Sequence, residues 1–115
     1  MLRKPEFDIR RSKDGQEYFV LKARNGKVIL LSELYKSTAS VKKGIESVRF
    51  NSDRKGAFVK FRDKSGEFRF TLRAKNNKVI GQSEGYKTRW GRLIGILSVK
   101  LNAPLATIVT GYKED

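Results

Sequence analysis

The stretch NGKVILLSELYKS, Asn25 to Ser37, recurs fifty-one residues later as NNKVIGQSEGYKT, Asn76 to Thr88. At that fixed offset Phe7 meets Phe58, and the pairing runs without a gap to Asn51 and Asn102. Gly15 meets Gly66, Phe19 meets Phe70, Tyr35 meets Tyr86, and Gly44 meets Gly95. About twenty of about forty-five paired positions are identical, so the chain is read as a tandem duplication. Whatever fold one half adopts, the other must adopt too. A single unit of this length buries little apolar surface, which is a physical reason for two.

The period within each copy sets its elements. In EYFVLKAR, Glu17 to Arg24, the residues Phe19, Leu21 and Ala23 share one face. In FRFTLRAK, Phe68 to Lys75, the inward set is Phe68, Phe70, Leu72 and Ala74. Both read as strands with one wet side. KDGQ (13–16), KSGE (64–67) and RNGK (24–27) are tight-turn signals. Asn76-Asn77 replaces the Asn-Gly pair in the second copy, and asparagine also visits the left-handed region.

After Tyr35 the period becomes helical. Ser37 and Thr88 are expected N-caps, and Ala39, Val41, Ile45 and Val48 are read as one buried stripe. Gly44 and Gly95 fall mid-helix, where glycine costs up to about 1 kcal/mol against alanine, so close packing of helix on sheet is expected there. GAFVKFR (56–62) and ATIVTGY (106–112) return to strand, the first closing one copy and opening the next.

The expected architecture is α+β: two tandem β3-α-β repeats, 7–57 and 58–112, forming one antiparallel sheet with two helices packed on one face. Residues 1–115 are read as a single domain with short tails at 1–6 and 113–115. Phe19, Leu21, Ile45 and Val48 are expected to share one core with Phe70, Leu72, Ile96 and Val99.

The runs NGKVILLSELYKS…GIESV and NNKVIGQSEGYKT…GILSVKLNAP resemble the YegP-like family of small bacterial domains. The resemblance covers nearly the whole chain and rests on the Ser-Glu-x-Tyr and Gly-Ile-x-Ser-Val motifs. It implies a β3-α-β unit used twice, with the C-terminal strand of each repeat exchanged. It implies no activity. Such domains are ordinarily much less basic than this chain.

Charge therefore carries the functional reading. There are 26 Lys and Arg against 12 Asp and Glu, a formal charge of +14. The excess lies in both copies, +6 over residues 7–57 and +7 over residues 58–115. A basic folded body points to a polyanionic partner. The absence of cysteine and histidine removes disulfides, zinc–cysteine sites and histidine bases, and fits a cytoplasmic protein. No apolar run approaches the roughly 20 residues of a membrane helix, and no membrane partner, metal or cofactor is expected.

Four groups of residues are candidates for contact. On the sheet face opposite the helices, Lys22, Arg24, Arg69, Arg73 and Lys75 are read as an outward basic row with Tyr18 among them, suited to phosphates and a stacked base. The bland alternative is a solvated face. In KTRWGRL (87–93), Arg89 and Arg92 flank Trp90; the tryptophan either grips a nucleic acid or fills the core. Arg3, Lys4 and Lys113 add cations in the tails. Helix positions 42, 43 and 46 are Lys, Lys and Glu, but Leu93, Ile94 and Leu97 in the second copy, and Phe50 becomes Leu101. Leu93, Ile94, Leu97 and Leu101 are read as a partner interface, unless the segment from Leu105 to Tyr112 folds back over them.

The repeated Ser-Glu-x-Tyr-Lys (Ser32, Glu33, Tyr35 and Lys36; Ser83, Glu84, Tyr86 and Lys87) offers Glu33 and Glu84 as a symmetric acid pair. Without a base, ligand set or phosphate cradle a structural role is the better reading. The expected function is a non-catalytic RNA-binding protein, ribosomal or ribosome-associated, that contacts RNA through its basic surface. The alternative is a protein-interaction or self-association module. An enzyme is not expected, since no nucleophile stands with a base.

Overall fold

The computed structural model describes residues 3–112. The elements are β1 (Glu6–Arg11), β2 (Glu17–Lys22), β3 (Val28–Ser32), α1 (Thr38–Asn51), β4 (Phe58–Arg62), β5 (Phe68–Arg73), β6 (Val79–Gln82), α2 (Arg89–Asn102) and β7 (Thr107–Thr110). The seven strands form one sheet in the order β4-β5-β6-β3-β2-β1-β7. Registers repeat at the sequence offset. Val20 pairs with Leu31 and Thr71 with Gln82, while Glu17 bridges to Tyr35 and Phe68 to Tyr86. The halves meet where β3 runs antiparallel to β6.

Alternation along β2 and β5 places Phe19, Leu21, Phe70 and Leu72 under the helices. Ile45, Val48, Ile96 and Val99 descend onto them, and all eight lie in one continuous core. The caps are as expected: the Ser37 hydroxyl accepts from Ser40 N–H and the Thr88 hydroxyl from Gly91 N–H. Gly26 turns the first copy at φ +81°, and Asn77 takes the same left-handed conformation at φ +69°.

The sheet is mixed rather than antiparallel. β7 runs parallel to β1, with Glu6 opposite Thr107 and Ile9 opposite Thr110. Topology gives the reason. The segment after each helix heads for the other half of the sheet in the direction of a first strand. After α1 that place is free and β4 fills it, paired to β5. After α2 it is held by β1, so β7 lies outside β1 and runs the same way. β4 accordingly pairs with no strand of the first half.

The helical stripe needs one correction. Val41, Gly44, Ile45 and Val48 are buried, but Ala39 is exposed. Two helical residues span about 200°, so positions 39 and 41 cannot share a narrow face. Its counterpart Trp90 is likewise 69% exposed and does not fill the core.

Candidate nucleic-acid interface

The expected basic row on the open sheet face is not assembled as read. Lys22 and Arg10 both pair with Asp8, at 3.3 and 3.1 Å. Arg69 donates to the Ser83 carbonyl at 2.8 Å and lies 3.7 Å from Asp63. The Asp63 carboxyl is held below its usual range, first by the Ser65 hydroxyl and in smaller part by Arg69. Arg73 donates to Thr71 Oγ1 and Asn77 Oδ1. Arg24 and Lys75 leave the row altogether, because β2 ends at Lys22 and β5 at Arg73. Arg24 shares a hollow with Leu101 and Leu105, and the Lys75 ammonium stands 5.2 Å from the Phe50 ring. Between its paired cations the open face presents Tyr18, Val28, Leu31 and Gln82 over the buried Val20, a surface more apolar than basic.

The Ser-Glu-x-Tyr repeats are structural. Ser32 Oγ accepts from Phe19 N–H at 2.8 Å and donates to the Glu33 carbonyl at 2.8 Å. Ser83 does the same for Phe70 N–H and the Glu84 carbonyl. Each hydroxyl thus satisfies a buried strand amide just past the last ladder pair, Val20 with Leu31 and Thr71 with Gln82. Glu84 forms an exposed ion pair with Lys27 at 3.3 Å.

Unpaired cations gather on the helix side, at the β4 edge and the start of α2. Arg62 lies opposite Phe68 across the β4–β5 ladder. Its guanidinium carbon is 4.6 Å from the Phe68 ring centroid, and those of Arg89 and Arg92 are 5.1 and 5.2 Å away. Three cations therefore ring one buried aromatic, whose π-face offsets part of their repulsion. Lys60 lines the adjoining hollow with Arg89, Trp90, Arg92 and Leu93. Arg62 donates to the Gly66 carbonyl and Arg92 to the Phe61 carbonyl, which holds both heads in place. Among the described residues none of the four cations has a carboxylate partner.

The first half is an internal control. Ile9, Arg11, Glu17, Thr38, Ala39 and Val41 occupy the positions of Lys60, Arg62, Phe68, Arg89, Trp90 and Arg92. There the one cation has an acid nearby. Glu17 accepts from the Tyr112 hydroxyl at 2.7 Å and from Thr38, and its carboxyl lies below the usual range chiefly because of Tyr112. The same scaffold is neutral on one side and carries four cations on the other. In the second half the α2 N-terminus holds no acid in its first turn but begins with arginines. That opposes the helix dipole by roughly 0.3–1 kcal/mol, a cost that a bound anion reverses.

Arg89, Trp90 and Arg92 are thus brought together as the sequence suggested. Lys60, Arg62 and Phe68 were missed, although divergence from their counterparts was the available signal. Arg3 and Lys4 are exposed and apart from this cluster; Arg3 N–H donates to the Arg24 carbonyl at 3.1 Å. Lys113 lies outside the described residues. Leu93, Ile94, Leu97 and Leu101 are exposed along α2, and the segment after Leu105 runs to β1 instead of folding over them. No helix among the described residues is long and apolar enough to cross a membrane.

Comparison with known proteins agrees with this architecture. The family model described as a domain of unknown function, DUF1508, matches twice, at residues 12–56 and 63–109. The UPF0339 protein YegP of Escherichia coli O6:H1 is 47% identical over 102 residues, covering 89% of this chain and 93% of that protein. The UPF0339 protein PA0329 of Pseudomonas aeruginosa is 46% identical over 101 residues, covering 88% and 92%. A solution NMR structure of yegP from E. coli, a protein of unknown function, superposes with a TM-score of 0.90 at 41% identity, covering 100% of this chain and 99% of that one.

Proposed function

The chain belongs to the DUF1508 family of YegP-like proteins, and within that family we propose that it is a non-catalytic RNA-binding protein. The observation that carries the reading is the cluster of Lys60, Arg62, Arg89 and Arg92, without a carboxylate partner among the described residues, beside the exposed Trp90. Four cations on rigid elements suit consecutive phosphates of one strand. Trp90 offers a flat face for one base, worth about 1–3 kcal/mol in comparable stacks. The contacts address backbone and any base, so affinity rather than sequence choice is expected. A ribosomal or ribosome-associated place in the cytoplasm suits such a surface.

The two halves are read as tandem β3-α-β units whose C-terminal strand crosses to the other half. β4 beside β5 and β7 beside β1 support that reading.

The test is a binding titration with single-stranded RNA at low salt. The variant Arg62→Gln/Arg89→Gln/Arg92→Gln is expected to lose binding, and Trp90→Ala to weaken it. Lys22→Gln/Arg73→Gln, altering cations already engaged within the chain, is expected to change it little. Under the alternative, a protein-interaction or self-association module acting through Leu93, Ile94, Leu97 and Leu101, the cation variants leave assembly intact and RNA is not bound.

A further inference from the structure

The outer face of α2 has no structural reason to be apolar. Trp90, Ile94, Leu97 and Leu101 follow one another at spacings of four, three and four, a continuous helical stripe. Ile94 is 51% exposed and Leu101 71%. In α1 the same four places are Ala39, Lys43, Glu46 and Phe50, so the fold tolerates charge there. β7, the next element, goes to β1 and covers none of it. Contiguous exposed apolar surface of this kind marks a contact.

Charge identifies the occupant. α2 contains no Asp or Glu. Arg89 and Arg92 stand at one end of the stripe, Lys100 and Arg24 at the other, and Lys42 and Lys43 are exposed on α1. A second copy suits this poorly. A helix of 14 residues is about 21 Å long. With a stripe about 10 Å wide, two such faces bury roughly 400 Å², well under the ~1,200 Å² of a stable pair. Antiparallel pairing of the helices also sets Lys100 against Arg89 and Arg92 with no acid between them. An anionic bilayer meets both requirements at once. It takes apolar side chains at the acyl boundary and supplies phosphates to flanking cations, with tryptophan at the headgroup level. Against the expectation of no membrane partner, which rested on the lack of a spanning helix, we propose that α2 docks this protein peripherally on anionic lipid surfaces, the stripe facing the bilayer.

Trp90 is the sole tryptophan, so its emission reports the contact directly. The probes are vesicles of phosphatidylcholine alone and of phosphatidylcholine with phosphatidylglycerol. Co-sedimentation and a blue shift of Trp90 are expected only with the second. Arg89, Trp90 and Arg92 are shared with the RNA reading, so the test falls on the leucines: Leu97→Ser/Leu101→Ser is expected to reduce vesicle binding at least tenfold while leaving RNA binding unchanged. Should that variant fail to fold, Leu101→Ser alone repeats the test at an exposed side chain. Absence of a shift at low salt, equal binding to neutral vesicles, or full binding by the serine variants overturns the proposal. So does a concentration-dependent dimer that itself buries Trp90.

Discussion

The phenol of Tyr86 stands in the space that a β-carbon on Gly95 would need, and Tyr35 stands in the same relation to Gly44. A glycine in mid-helix is a standing cost, and here its return is contact between α2 and the segment that follows β6. Burial raises the pKa of both tyrosines. Gly95→Ala gains helix propensity but drives a methyl group into the ring. A net destabilisation of about 1–3 kcal/mol is expected, because overpacking outweighs propensity. Adding Tyr86→Phe is expected to recover part of it. Chemical denaturation of the two single variants and the double measures the coupling, and simple additivity contradicts it.

Ser83 satisfies the Phe70 amide at 2.9 Å within a buried region. Ser83→Ala leaves that donor unpaired. A loss of about 1–3 kcal/mol is expected. Hydrogen exchange at the Phe70 amide is expected to accelerate; unchanged exchange would show that another acceptor replaces the hydroxyl.

Glu17 ties the end of β7 to the first half through Tyr112. Its folded pKa lies below the ordinary value of 4.5, first because of the Tyr112 hydroxyl. The resulting stabilisation is therefore fully present above the unfolded value and lost as pH falls through the lower folded one. Tyr112→Phe is expected to weaken this acid-side loss. Denaturation midpoints measured between about pH 3 and 6 test it. Parallel pH profiles for wild type and variant would contradict the linkage.

Period and repetition disclosed much of the fold. Phe19 and Phe70 alternate plainly, Ser37 and Thr88 cap as expected, and the doubled glycines announced a close approach. The partners in that approach were hidden, since Tyr35 reaches Gly44 only when α1 folds back over β2. Strand direction is also absent from a period of two, so the parallel β1–β7 pair was not seen. Arg24 and Lys75 were assigned to the open face by extending the alternation past the strand ends, where the chain had already turned. Ala39 was drawn into the core stripe against helical geometry, which obscured that Trp90 faces solvent. The cation cluster required topology. Lys60 and Arg62 precede Arg89 and Arg92 by some thirty residues and meet them only because β4 is an edge beside the start of α2.

The most direct measurement of the central claim is the salt dependence of single-stranded RNA binding. Each phosphate neutralised contributes about 0.7 to the slope of log affinity against log salt. Replacing Arg62, Arg89 and Arg92 with glutamine is expected to reduce that slope by about 2 while the folded state, followed by circular dichroism, is retained. A folded triple variant whose affinity and slope match the wild type, or a wild type that binds no RNA at low salt, would contradict the account.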